Sequence, residues 1–258
     1  MANRIVRIDA LPESAWRSSG YDAVVCVDVL LSATTIVTAL AQGRRVFSAP
    51  SAGQAAWVHT RVKDPLVVTD ALRSPDDAVR FVGPFWLATA EGKLGALLHV
   101  SPLAEMLAAA ARRSRVFVAC LRNLEATAKE VSLHHQRVVI LGAGEAGEVC
   151  SEDQMAAAWL AQRFHHRGFE LEGMNTVDEV GRWGTFDPSM VNLSRSAEYL
   201  RARGRSADVD FVLSHVDDVN VACAYADGEL RDPAAARRRL QDDMPTPAWG
   251  ISLPVHGR

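Results

Sequence analysis

AVVCVDVLLSATTIVTALAQG, residues 23–43, carries two kinds of structure in one stretch. Its first part, AVVCVDVL, is a short apolar run rich in β-branched residues, the composition of a strand covered on both faces. Thr34 to Gln42 then reads as a helix, with Gly43 placed to stop it. A buried strand therefore runs into a helix, and Asp28 stands where one gives way to the other. A carboxylate after VVCV is costly to bury unless it is paired, hydrogen-bonded or bound to a cation. Asp28 is accordingly the first candidate for a functional residue.

The same alternation continues outward. RVFSA, LVVTD, PFWLAT, RVFVAC, RVVIL and DVDFVL read as further strands, separated by helical stretches. That order predicts an α/β fold: a largely parallel or mixed sheet with helices on both faces, in three layers, divided into as many as two closely packed lobes. Ser101-Pro102 offers an N-cap and a proline in the first turn, Asn123 a cap for the next helix, and Ser151 with Gln154 a capping box. That last helix is expected to end near Arg167 and Gly168, and SAEYLRARG to end at Gly204. Residues 169–193, with Gly173, Gly181, Gly184 and Pro188, read as an irregular excursion. One domain over 1–241 and an extended tail over 242–258 complete the expected layout.

The 258 residues are 48% hydrophobic and 23% charged, an ordinary globular balance. The net charge is −3, and the one basic run, Arg237 to Arg239, reads as a solvated helix face, so nothing points to nucleic acid. The N-terminus lacks a signal-peptide apolar core and no apolar run reaches membrane-spanning length, so a cytoplasmic protein is expected. Cys26, Cys120, Cys150 and Cys223 are widely spaced and suit small buried hydrophobes better than a disulfide or zinc framework. Cys150 differs in preceding a helix start, where a thiol is activated more easily.

Ligands of open α/β sheets bind beyond the carboxyl ends of the strands, which gives weight to polar groups at those turns. Ser32, Thr34 and Thr35 follow Asp28 where the helix begins, so their hydroxyls and the free amides suit an anion. GAGEAGEVCSED, residues 142–153, matches G-x-G-x-x-G through Gly142, Gly144 and Gly147. Its acidic residues crowd the place of a pyrophosphate and its helix starts late, so a dinucleotide is disfavoured. Carboxylates at a strand end suit Mg²⁺ instead, although Glu152 and Asp153 also complement a helix dipole. His215, after DVDFVLS and before Asp217 and Asp218, is a candidate acid or base.

DVLLSATTIVTAL, residues 28–40, resembles the signature DVLRATTTIVTAL of the 2-phosphosulfolactate phosphatase family, Mg²⁺-dependent phosphohydrolases of an α/β fold. VACLRNLEATA, LGAGEAGEVCSEDQMAAAWL and the SAEYLRARG helix are similar to later family elements in the same order. The resemblance implies Asp28, Thr34, Thr35, Asn123, Glu152 and Asp153 at family-like positions, with Asp28, Glu152 and Asp153 as Mg²⁺ ligands. It implies Mg²⁺-assisted hydrolysis of a small anionic phosphate ester. Departures accompany it: Leu31 stands where the family has arginine, and Ala33 where it has threonine. The family's T-N-G-T-R-A loop is matched at best by TAEGKLG, Thr89 to Gly95, leaving Lys93 to bind substrate with Ser32 and Asn123; Ser101-Pro102 also resembles its N-S-P element. Two alternatives stay open, an enzyme of another reaction class refitted through Glu91, Glu145 or His215, and a non-catalytic ligand-binding protein. A homodimer is the default assembly.

Overall fold

The computed structural model describes residues 3–9, 20–51, 53–69, 80–91, 95–144, 148–185, 187–235 and 237. Its strands are β1 (Ile5–Asp9), β2 (Ala23–Val27), β3 (Val46–Ala49), β4 (Leu66–Thr69), β5 (Arg80–Phe81), β6 (Leu97–Val100), β7 (Arg115–Ala119), β8 (Arg137–Gly142), β9 (Glu170–Leu171), β10 (Cys223–Ala226) and β11 (Glu229–Arg231). The helices are α1 (Ser32–Ala41), α2 (Pro84–Thr89), α3 (Leu103–Ala110), α4 (Leu124–His134), α5 (Ser151–His166), α6 (Met174–Trp183), α7 (Arg195–Ala202) and α8 (Ser206–Ser214). All the strands join one mixed sheet, in the order β5-β4-β6-β3-β11-β10-β7-β2-β8-β1-β9.

The sheet is two parallel halves stitched by a hairpin. β7, β2, β8, β1 and β9 run parallel to one another, as do β3, β6, β4 and β5. Between them β10 pairs antiparallel with β7, and β11 antiparallel with β3, so the two halves run in opposite senses. The hairpin turns through Asp227 and Gly228, with φ of 50° and 79°. Positive φ at two successive residues is the geometry for which Asp-Gly is favoured in tight hairpins.

Period-two alternation divides the core between the faces of the first half. Val25 and Val27, Phe117 and Ala119, Val138 and Ile140 pack on one side with Leu124, Val131, Met155, Leu160 and Phe164 of α4 and α5. Val24 and Cys26, Val116 and Val118, Val139 and Leu141 pack on the other with Ile36 and Val37 of α1 and Leu107 of α3. Every residue of β2 is buried. In the second half Phe47, Ala49 and Leu98 are covered by Ala55 and Val58 from a 3₁₀ stretch, Gly53–Thr60. The expected α/β fold with covered faces is thus the observed one.

Two expected strands are helices. PFWLAT forms α2, entered through Gly83 with Pro84 in its first turn, where a missing N–H does no harm. DVDFVL lies within α8, whose buried residues Asp208, Val209, Phe211 and Val212 follow helical spacing that a short apolar run conceals. Asp208 on α8 accepts a hydrogen bond from Phe85 N at the start of α2, 3.1 Å. A Cβ on Gly83 would stand 2.1 Å from Asp208 Oδ1. Gly83→Ala is therefore expected to lower stability by about 1–3 kcal/mol in denaturant titration, with part recovered when Asp208→Ala is added.

Three expected caps are made differently. Ser101, Asn123 and Ser151 give no side-chain cap, and Cys150 rather than Ser151 precedes α5. The glycine stops are as expected: Gly43 and Gly168 have φ of 75° and 85°. Residues 169–193 contain β9, α6 and a 3₁₀ turn over Pro188–Leu193. The tail 242–258 lies outside the described residues. No helix among them is long and apolar enough to cross a membrane.

Arg237, expected on a solvated face, instead reaches Glu130 on α4 with two hydrogen bonds of 2.8 and 2.6 Å. Those bonds, opposed by burial and helped by His134 and His135, hold the Glu130 carboxyl below the ordinary carboxylate range. A folded-state value below the unfolded one contributes stability above the unfolded value and loses it as pH falls. Glu130→Gln is thus expected to lower the denaturant midpoint at pH 7 and to flatten its decline between pH 6 and pH 3.

Candidate functional site

β2, β7 and β8 are neighbours and parallel, so their carboxyl ends open at one edge of the sheet. β2 stops at Val27, and Asp28 N still bonds Ala119 O of β7 at 3.3 Å. On the other side Ala143 N bonds Val27 O at 2.8 Å, carrying the loop after β8 alongside. Asp28 is partly exposed, whereas the residues before and after it are buried. The turn after β7, Leu121–Asn123, flanks the same place.

The acidic pair at the start of α5 meets this edge. Asp153 is 4% exposed, accepts a hydrogen bond from Val29 N at 2.8 Å and another from Gly144 N at 3.2 Å. Burial first, then the charges of Asp28 and Glu152, push the Asp153 carboxyl well above its usual range, against the pull of the two amides. Glu152 is buried, with Ser151 Oγ 3.5 Å from its Oε2. Asp28 and Glu152 thus lie near enough for their charges to act on Asp153.

Such a group demands a proton or a cation between its members. Oxygen-only donors suit a hard cation, and Mg²⁺ is commonly held by one or two carboxylates with waters and substrate phosphate completing the shell. Among the described residues no group of three or more His, Cys, Asp or Glu side chains is arranged to hold a metal. The carboxylates at this edge supply the oxygen donors that such a site uses. Glu145 lies outside the described residues.

The hydroxyls near Asp28 face inward. Thr34 Oγ1 donates to Val29 O at 2.8 Å and Thr35 Oγ1 to Leu31 O at 3.0 Å, and both residues are fully buried. They tie the turn 29–31 to α1. Ser32 is also buried in the first turn. Leu31, in the place of the family arginine, is 2% exposed and belongs to the core shared with α4 and α5. No side chain caps α1.

Asn123 likewise serves the backbone. Its Oδ1 accepts from Cys120 N at 2.9 Å, and its Nδ2 donates to Val118 O and Val221 O, each at 3.2 Å. His215 ends a helix rather than a strand: its Nδ1 lies 2.7 Å from Phe211 O and its ring stacks on Phe211 at 4.0 Å. Lys93 lies outside the described residues. Cys150 is partly exposed, 3.8 Å from Ser196 Oγ, and all four cysteines are free thiols.

One cluster goes beyond the sequence reading. Arg122, beside Asn123, donates to Asp218 Oδ1 at 2.9 Å and Oδ2 at 2.5 Å, to Thr38 Oγ1 at 2.8 Å, and lies over Phe211 at 5.1 Å. Burial works against the Asp218 charge, yet Arg122, with His215, holds its carboxyl below the ordinary range. Arg122 is thereby committed to joining α1, the turn after β7 and the segment after α8. Nothing in the local sequence marks it, because its partner lies 96 positions away.

Residues 101–228 match the sequence profile of a family described as 2-phosphosulpholactate phosphatase. Over that span, just short of half of the chain, the protein is similar to the 2-phosphosulpholactate phosphatase family. The matched span includes Asn123, Glu152, Asp153 and His215, while Asp28, Ser32, Thr34 and Thr35 precede it. No curated protein matches the chain. The chain presents Asp28 at the end of β2 and an acidic pair in the first turn of α5, with a buried leucine at position 31.

Proposed function

We propose that this protein is a phosphatase-like hydrolase of the 2-phosphosulpholactate phosphatase family that cleaves a small anionic phosphate ester with the help of Mg²⁺ held at Asp28, beside the Glu152–Asp153 pair. The observation that carries this reading is the convergence of those carboxylates at the carboxyl edge of β2 and β8. When bound, Mg²⁺ would supply neutralisation of the phosphoryl oxygens and a more acidic water. Asp28, partly exposed, is the carboxylate that substrate and water can reach. Thr34 and Thr35 fix the turn that carries it. The start of α1 sets the positive end of its helix dipole near Asp28, which favours an anionic substrate there. Phosphoryl transfer depends chiefly on such positioning and charge neutralisation.

The test is a panel of small phosphate monoesters assayed with Mg²⁺ and with EDTA. Turnover of at least one ester that EDTA abolishes and Mg²⁺ restores is the expected result. Turnover indifferent to EDTA, or none on any ester, would count against the proposal. A second reading, a hydrolase or lyase of another class using Asp28 as a base, draws on the burial of Leu31, which leaves no arginine there to grip phosphate. Metal-independent turnover of an unphosphorylated substrate, lost in Asp28→Asn, would favour it.

A further inference from the structure

We infer that Asp153 acts as a positioning residue, clamping the two loops that flank the cleft, while Asp28 is left to engage the cation. This rests on the reading of Asp28 as a metal carboxylate. The two bonds of Asp153 are directed to main-chain amides on different loops: Val29 N, one residue past Asp28, and Gly144 N, two residues past the end of β8. β2 and β8 are hydrogen-bonded as far as Val27 and Gly142. Beyond that register, Ala143 N still bonds Val27 O, and the carboxylate of Asp153 continues the connection as a bridge where the strands part. The peptide that carries Asp28 is thus held from the side by a group rooted on α5.

Exposure separates the two aspartates. Asp153 is 4% exposed, with one oxygen committed to each amide, whereas Asp28 is partly open to solvent. Mg²⁺ gives up its waters reluctantly and keeps several of them, so its ligands must face a space that water and substrate enter. Asp28 meets that requirement, and Asp153 meets the requirement of a strut: two acceptors, deep placement and a short side chain. Asparagine cannot replace it, because it offers one acceptor and turns an NH₂ group toward the second amide.

Two measurements on the full chain test this. The first is amide hydrogen exchange by NMR in wild type and Asp153→Asn, with the Val25 amide of β2 as a control for the intact fold. Exchange at Val29 or Gly144 is expected to rise about tenfold or more with Val25 unchanged; unaltered exchange at both would overturn the clamp. The second is Mn²⁺ binding by EPR. Asp28→Asn is expected to abolish detectable Mn²⁺ binding, and Asp153→Asn to weaken it only about ten- to a hundredfold, the loss that follows removal of a group that orients a ligand. Equal losses in the two variants would make Asp153 a ligand and overturn the inference. Where wild type binds no Mn²⁺, the metal reading fails by itself and the exchange result alone decides whether Asp153 is the clamp.

Discussion

Asp28→Asn is expected to reduce kcat/KM on the best phosphate ester by about 10²- to 10³-fold, the size of effect that follows loss of one pre-organised charge-stabilising group. The substitution keeps the shape of the side chain and removes its charge. Stability is expected to hold or rise in the metal-free protein, because the charge of Asp28 is one of the influences that raise the Asp153 carboxyl out of its ordinary range. A large rate loss with an unchanged or higher thermal midpoint marks a residue kept for chemistry at some expense to the fold. Mg²⁺ titration of the residual activity should need higher concentrations. Activity within about threefold of wild type would remove Asp28 from the mechanism altogether.

The second large effect concerns the family arginine. Leu31→Arg restores the family residue to the signature segment, yet it is expected to destabilise the protein by more than about 3 kcal/mol and to restore nothing. Leu31 is 2% exposed and packs in the core with Val29, Leu121 and Leu124. A guanidinium there would lose the leucine contacts and carry a charge into an apolar setting, one of the few mechanisms that give such large single-site losses. Thermal or urea unfolding of the variant measures this directly. A stable Leu31→Arg protein with faster phosphate-ester turnover would show that position 31 can reach the cleft.

Much of the fold was legible because β2, β7 and β8 are unbroken apolar runs, which few arrangements other than a doubly covered sheet accommodate. PFWLAT and DVDFVL were misread for the same reason, since a run of about six residues is too short to separate period two from period 3.6. Pro84 after Gly83 was the overlooked signal in the first, and the spacing of Asp208, Val209, Phe211 and Val212 in the second. The hairpin passed unread although Asp227-Gly228 marks it.

At the site, residue type revealed more than residue role. Asp28 and the Glu152–Asp153 pair announce themselves as carboxylates at strand and helix ends. That Asp153 bonds an amide 124 positions earlier follows only from the pairing of β2 with β8. Thr34 and Thr35 looked available to a substrate because their hydroxyls stand beside Asp28 in sequence. Helix phase turns both inward, onto carbonyls four and five residues back.

The central hairpin also bears on how the chain is made. Among the described residues β10 and β11 are the last strands in sequence, yet they sit in the middle of the sheet, between β7 and β3. During synthesis the first 222 residues can form two half-sheets, each with a bare inner edge, before the piece that joins them leaves the ribosome. Exposed edges of that kind invite pairing with other chains. The interval before the hairpin emerges is therefore when mispairing is most expected, and closing the sheet over so long a sequence separation is expected to slow the last folding step.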